Sequence, residues 1–287
     1  MTAKFQKTAL VTGASSGMGK DMAFRLLNEG YAVYAAARRL EKMRDLEAAG
    51  AHIIQMDISK DTDIVAAVDR IRREAGGVGV LVNNAGFAVY GAIEDTAIEE
   101  ARYQFEVNLF GLARLTQLLL PDMRAHKYGK IVNVSSVGGK IYSPLGAWYH
   151  ATKHALEGWS DCLRLEVEQF GIDVVIIEPG LIETEFGEVM SQPMLQRSGE
   201  GAYASLALAN AKAFDAAYKD GVGSRPVVIS TLLMKAIQTA RPRTRYHGGK
   251  MASMMLFFRH WLPDRGFDRL ITSQIRRMLK EVQVSSG

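Results

Sequence analysis

The sequence predicts an α/β fold built on a doubly wound parallel sheet with helices on both faces, and three observations carry that prediction. Short β-branched runs alternate with longer helical patterns. Runs such as Ala9-Leu10-Val11 and Val174-Val175-Ile176-Ile177 are apolar on consecutive residues, as strands covered on both faces must be. A glycine-rich turn joins the first strand to the first long helical pattern, where such sheets bind ligands.

Thr8 to Thr12 is the first strand and Gly17 to Asn28 the helix after it. Ala32 to Ala37 with Leu40 to Ala49, and His52 to Met56 with Asp61 to Glu74, repeat the unit. Val78 to Val82, a long helical stretch from Ile98 to Arg124, Lys130 to Ser135, a helix from Ala147 to Phe170 and Asp173 to Ile177 continue it. Six parallel strands with crossover helices make a Rossmann-type sheet. Gly30, Gly50 and Gly171 follow helical runs where a left-handed residue ends a helix. Beyond Pro179 the pattern loosens, and regular apolar spacing returns at Val227 to Ala240. A loose segment after the last strand is placed to close over a ligand, so residues 182–223 are expected to form a substrate lid. Residues 241–287 form a C-terminal extension, and the whole chain, 1–287, is expected to be a single domain.

A chain of 287 residues that is 48% hydrophobic can bury one substantial core, and its ordinary charge content excludes disorder and a disulfide scaffold. Cys162 is the sole cysteine, so neither an internal disulfide nor a thiolate metal site nor a redox dithiol can form, and no metal is expected. No run approaches the roughly 18 apolar residues needed to span a bilayer, and the apolar run that follows Met1 to Lys7 is too short for a secretory h-region. A cytoplasmic protein is expected. The net charge of +4 is small, but its basic excess gathers late, at Arg241, Arg243, Arg245 and Lys250 and again at Arg276, Arg277 and Lys280. The apolar run Met251 to Leu262, flanked by basic residues, permits peripheral membrane contact, although such runs are more often core. No basic-aromatic stripe or recognition helix points to nucleic acid.

The turn Thr12-Gly13-Ala14-Ser15-Ser16-Gly17-Met18-Gly19 lets backbone approach a pyrophosphate, while the helix that follows supplies N–H donors and a positive dipole end. Tyr149 and Lys153 are four apart on a helix and share one face. A neighbouring ammonium stabilises phenolate, so Lys153 is expected to lower the Tyr149 pKa toward neutrality. Ala37 is followed by Arg38-Arg39 with no acid at the end of the second strand, which favours a 2′-phosphate over a free ribose hydroxyl. NADP(H) is therefore the expected cofactor, with Arg38 the main contact and Arg39 in support.

The spacing Thr-Gly-x-x-x-Gly-x-Gly resembles the short-chain dehydrogenase/reductase family, and Asn83-Asn84-Ala85-Gly86, Asn108, Ser136 and Tyr149-x-x-x-Lys153 occur in that family's order. The resemblance covers residue 7 to about 185. It implies that Tyr149 protonates a forming alkoxide, that Ser136 donates to the substrate oxygen, that Lys153 also holds the nicotinamide ribose, and that Asn108 anchors a water near Lys153. Ser135 is set aside because successive extended residues face opposite ways and because Tyr149 lies thirteen positions after Ser136. The resemblance further implies adenine contacts at Asp57 and Ile58, ribose contacts at Asn84, Ala85 and Gly86, and nicotinamide contacts from Pro179, Gly180 and Thr184.

The Ala-Arg-Arg-Leu run, the Val-Asn-Leu-Phe-Gly run and the C-terminal extension look like the branch similar to 17β-hydroxysteroid and retinol dehydrogenases, which implies a lipophilic carbonyl or alcohol. Phe87, Val89, Ile141, Tyr142, Leu145, Trp148, Phe186, Met190 and Met194 are candidate pocket residues. The family also implies a homodimer or homotetramer through the helices Ile98 to Arg124 and Ala147 to Phe170. Two rival readings stay open: a non-catalytic NADP(H)-binding regulator, and a dehydratase or epimerase on the same fold. Intact Ser136, Tyr149 and Lys153 favour the oxidoreductase.

Overall fold

In the computed structural model, which describes residues 2–184, 188–218 and 222–284, the strands are β1 (Thr8–Thr12), β2 (Ala32–Ala37), β3 (His52–Gln55), β4 (Val80–Asn83), β5 (Gly129–Val134), β6 (Ile172–Pro179) and β7 (Arg245–Gly248). They form one parallel sheet in the order β3-β2-β1-β4-β5-β6-β7. The order reverses between β1 and β4, and the loops leaving these two strands open a crevice at the carboxyl edge. The glycine turn and the Asn-Asn-Ala-Gly segment are those loops.

Alternation along β1 explains the two-faced core. Ala9 and Val11 pack with Met22, Leu26 and Leu233 on one side, whereas Leu10 packs with Ile64, Leu115 and Leu119 on the other. Helices Gly17–Asn28 and Val227–Gln238 cover the first face, and Asp61–Ala75 and Gly111–His126 the second. With no exposed face, period-two alternation of polar and apolar residues has no cause. A fully buried leucine such as Leu10 contributes about 1.5–3 kcal/mol to stability. Gly30, Gly50 and Gly171 all take positive φ at the helix ends where left-handed residues were expected.

Three features differ from the sequence expectations. The sheet has a seventh strand, Arg245–Gly248, paired with β6 from Ile176↔Arg245 to Pro179↔Gly248. The stretch from Ile98 breaks into Ile98–Phe105, a π-helical turn Glu106–Phe110, and Gly111–His126. The expected lid is largely helical, with Glu188–Ser198 and Ala204–Tyr218, and its base is clasped by an isolated bridge between Ile182 and Ser224. Phe186 lies outside the described residues. The C-terminal extension adds two helices, Ala252–Trp261 and Asp264–Val284, and no helix among the described residues is long and apolar enough to cross a membrane.

Candidate active site

The floor of the crevice is the joint between the β1 and β4 loops. Thr12 Oγ1 accepts from the backbone N–H groups of Asn84 and Ala85, both at 3.0 Å. Asn84 Nδ2 donates in return to the carbonyls of Thr12 at 3.0 Å and Gly13 at 3.3 Å. A Cβ at Gly19 would lie 2.3 Å from Gly13 O and 2.4 Å from Asn84 Nδ2, so only glycine fits there. Gly13 itself takes φ +67°. The Asn84 side chain is thus committed to holding the loop.

Above this floor, helix Gly17–Asn28 starts from Ser16 with no side-chain cap and no acid in its first turn. A helix end without a side-chain cap or an acid in its first turn presents N–H donors and a positive dipole end that suit an anion. Ser15, Ser16, Gly17 and Met18 line the turn half-buried, and Met18 packs onto the core below. Thr184 reaches over from beyond β6: a Cβ at Gly17 would lie 3.1 Å from Thr184 Cγ2. Pro179 ends β6, and Gly180 N–H donates to Gly248 O at 2.8 Å, with Lys250 O so near that a Cβ at Gly180 would sit 2.4 Å from it.

Arg38 and Arg39 are exposed just past β2. Asp57, just past β3, accepts from Ser59 N and Oγ at 3.0 and 2.7 Å. Burial pushes its carboxyl up, but the Ser59 bonds and the Arg38 charge prevail and hold it below the usual range. Ile58 is buried, and its carbonyl lies where a Cβ on Gly111 would be 2.0 Å away.

Ser136 leaves β5 extended, and its Oγ accepts from Gly138 N–H at 3.0 Å. It is also hydrogen-bonded to Tyr149. Ser135 faces elsewhere: its buried Oγ lies 2.8 Å from where a Cβ on Gly139 would be, among Glu157 and the Lys153 backbone. Lys153 is buried, and Nζ donates to Val134 O at 2.9 Å. Burial lowers its pKa from 10.5 to about 8 against the raising influence of Glu157. Tyr149 runs opposite to the sequence expectation. Its pKa is raised, because burial outweighs the lowering bond from Ser136.

Asn108 sits in the π turn, where its Nδ2 donates to Phe87 O at 2.9 Å and Thr152 Oγ1 at 3.1 Å while its Oδ1 accepts from Phe87 N–H at 3.0 Å. Its amide therefore ties the β4 loop to the helix carrying Tyr149, a role that the water-anchoring expectation did not include. Gly86 completes the contact, since a Cβ there would be 3.1 Å from Asn108 Oδ1 and 3.9 Å from Lys153 Nζ.

Apolar side chains enclose Tyr149. Tyr90, Leu145, Met190 and Met194 are buried with it, and Phe214 and Tyr218 of the second lid helix pack against them. The Tyr90 ring centroid is 5.9 Å from that of Tyr149 and 5.0 Å from that of Phe214. Leu145 takes φ +63°, a strained value worth about 1–2 kcal/mol, and its carbonyl is held by Gly91 N–H at 2.8 Å. Arg197 fastens the first lid helix to the body through Glu100, with Nε–O distances of 3.1 and 3.0 Å. Of the other candidate pocket residues, Val89 is buried and Phe87 packs against Tyr103, while Trp148 is half-buried. Ile141 and Tyr142 belong to a separate cluster beneath the C-terminal helices.

Comparison with known proteins places this geometry. A family model described as short chain dehydrogenase matches residues 7–194. The chain belongs to that family. A 3-ketodihydrosphingosine reductase of Bacteroides thetaiotaomicron is 32% identical over 256 residues, covering 89% of this chain and 93% of its own. An NADPH-dependent 3-dehydrocapnine reductase of Ornithobacterium rhinotracheale is 34% identical, covering 95% and 99%. A short-chain dehydrogenase structure from Streptomyces avermitilis superposes with a TM-score of 0.77 at 32% identity, covering 97% of both chains. The protein is thus an NAD(P)-dependent oxidoreductase of the short-chain dehydrogenase type.

Behind the Tyr-Lys pair this short-chain dehydrogenase holds a partly buried ion cluster that sequence reasoning missed. Glu157, one turn beyond Lys153, meets Lys140 Nζ and Arg245 Nε, each at 2.9 Å, and Arg245 also reaches Asp161 at 2.7 Å. Glu178 lies 3.8 Å from Arg245 and is pushed up to about 7 by burial and the nearby Glu157 charge. The spacing of Glu157 from Lys153 was a usable signal. Tyr90, Phe214 and Tyr218 gave none, because only tertiary packing brings them to Tyr149.

Proposed function

We propose that this dehydrogenase is an NADPH-dependent reductase of lipophilic ketones or aldehydes, with alcohol oxidation as the reverse reaction. The observation that carries the reading is the apolar enclosure of the Ser136–Tyr149 pair by Tyr90, Leu145, Met190, Met194, Phe214 and Tyr218. A carbonyl set in that enclosure meets the Ser136 and Tyr149 hydroxyls amid largely apolar and aromatic surface, with the Tyr90 and Tyr218 phenols the other polar groups there. A steroid-, retinoid- or long-chain-like substrate suits it. The relative that acts on 3-ketodihydrosphingosine favours the long-chain member of that set.

The residues present fit a dinucleotide cofactor. The uncapped N-terminus at Gly17 suits the pyrophosphate, and the exposed Arg38 and Arg39, without an acid at the β2 end, suit a 2′-phosphate. Asp57, Ile58, Ala85 and Gly86 border the adenosine side of the crevice, and Pro179, Gly180 and Thr184 the nicotinamide side. The NADPH dependence of the Ornithobacterium relative points the same way. When bound, the nicotinamide supplies the hydride. Ser136 donates a hydrogen bond to the substrate oxygen as charge develops there, and Tyr149 Oη delivers the proton. Lys153, in its charged form, stabilises the phenolate that remains and holds the ribose hydroxyls.

A homo-oligomer belongs to the same proposal, supported by exposed Tyr103, Phe110 and Leu165 on the helices flanking the site. A cytoplasmic location belongs to the same proposal. A series of NADPH-coupled assays over 2- and 3-ketones of increasing chain length tests the substrate reading. The expected result is kcat/KM rising with chain length; activity confined to small polar carbonyls would overturn it.

A further inference from the structure

The C-terminal extension carries a surface that neither the dinucleotide crevice nor the lid uses. In helix Ala252–Trp261, Met255 and Phe258 turn inward onto Ile141 and Phe267, while Met254, Phe257 and Trp261 are 44%, 58% and 69% exposed. Positions 254, 257 and 261 fall on one face at helical spacing, so the exposed side chains form a stripe. The Phe257 and Trp261 rings lie tilted beside each other along it, with centroids 6.4 Å apart. Among the described residues these three side chains stay exposed together, an apolar patch of the kind that marks an interaction surface.

The charge around the stripe is as one-sided as the stripe is apolar. Residues 241–280 contain ten Lys/Arg and two Asp, net +8 against +4 for the chain as a whole, with Arg245 spent on Glu157 and Asp161 in the ion cluster. Both acids are engaged within the fold: Asp264 pairs with Arg259 at 3.0 Å, and Asp268 accepts from Tyr142 Oη at 2.9 Å. Lys250, Arg265, Arg269 and Arg276 are exposed. Such a concentration of cations around bulky aromatic and thioether side chains complements a surface that is anionic at its headgroups and apolar beneath them.

We propose that the helix Ala252–Trp261 docks this protein onto an anionic lipid bilayer, with Met254, Phe257 and Trp261 entering the acyl boundary and the surrounding Lys and Arg side chains meeting lipid phosphates. The inner face of the same helix shares a hydrophobic cluster with Val137 and Tyr142, which follow Ser136 in the chain. Direct transfer of a lipophilic substrate from the bilayer rests on the function proposed above; attachment to the bilayer does not.

The test is sedimentation of the full chain with vesicles of phosphatidylcholine alone and of equal parts phosphatidylcholine and phosphatidylglycerol. Binding is expected to the anionic vesicles, to fall about tenfold or more in the double variant Phe257→Ser/Trp261→Ser, and to weaken as salt is raised. NADPH affinity should be unchanged in that variant, which shows that it folds, and Tyr149→Phe protein should bind vesicles as wild type does whatever its activity. Equal sedimentation of wild type and double variant, or none with anionic vesicles, would overturn the proposal. So would light scattering that shows the stripe joining two copies of the chain in place of vesicle binding.

Discussion

Lys153 Nζ donates to the Val134 carbonyl at 2.9 Å, so the ammonium expected to serve Tyr149 is anchored to the end of β5, inside the protein. Burial brings its pKa down to about 8, while Glu157, one turn along, acts to raise it. Two consequences follow for pH. Turnover that needs charged Lys153 should decline above about pH 8, and Glu157→Gln should move that decline to lower pH. A pH profile of kcat/KM that is the same in both proteins would contradict the coupling.

The same group has a signature in stability. The folded chain holds fewer protons on Lys153 than the unfolded chain between about 8 and the usual 10.5. The burial penalty is therefore complete below about 8 and fades as pH rises toward 10.5. Lys153→Met should compare more favourably with wild type in thermal unfolding at pH 7 than at pH 10. A Tm difference that does not change with pH would contradict the burial account.

Arg38 stands exposed where β2 ends, with no acid beside it in the chain. Arg38→Asp removes a bidentate phosphate partner and introduces repulsion, so NADPH should lose affinity by about 1.5–3 kcal/mol relative to NADH. Titration of each nucleotide by fluorescence checks this. An unchanged preference would show that the 2′-phosphate is held elsewhere.

Gly19→Ala tests the floor of the crevice. Its Cβ would press within 2.3 Å of Gly13 O, and overpacking of this kind costs about 1–3 kcal/mol. The expected outcome is a lower urea midpoint together with weaker nucleotide binding. A variant with wild-type stability and affinity would mean that the two loops are not locked together as their hydrogen bonds indicate.

How much of this was legible in the sequence depends on where the determining contacts lie. The strands from Thr8 to Pro179 announced themselves because burial on both faces demands continuous apolar runs. β7 did not, since Arg-Tyr-His-Gly places its arginine in the ion cluster with Glu157 and needs only one neighbour, β6. The π turn at Asn108 was hidden because residue types do not distinguish i→i+4 from i→i+5 bonding; the bonds that Asn108 makes to Phe87 and Thr152 are long-range. The lid helix Ala204–Tyr218 read as loose because its alanines carry little amphipathic contrast. The glycine turn and the Tyr149–Lys153 spacing were readable because both are local. The direction of the Tyr149 shift was not, since it depends on Tyr90 and the lid burying the hydroxyl.

The most direct test of the central claim is NADPH oxidation followed at 340 nm with a long-chain ketone, comparing wild type with Tyr149→Phe. The account predicts that the variant keeps its NADPH affinity and loses turnover by about 10²–10⁴-fold. Turnover retained within a few fold, or tight NADPH binding by wild type with no carbonyl reduced, would contradict it.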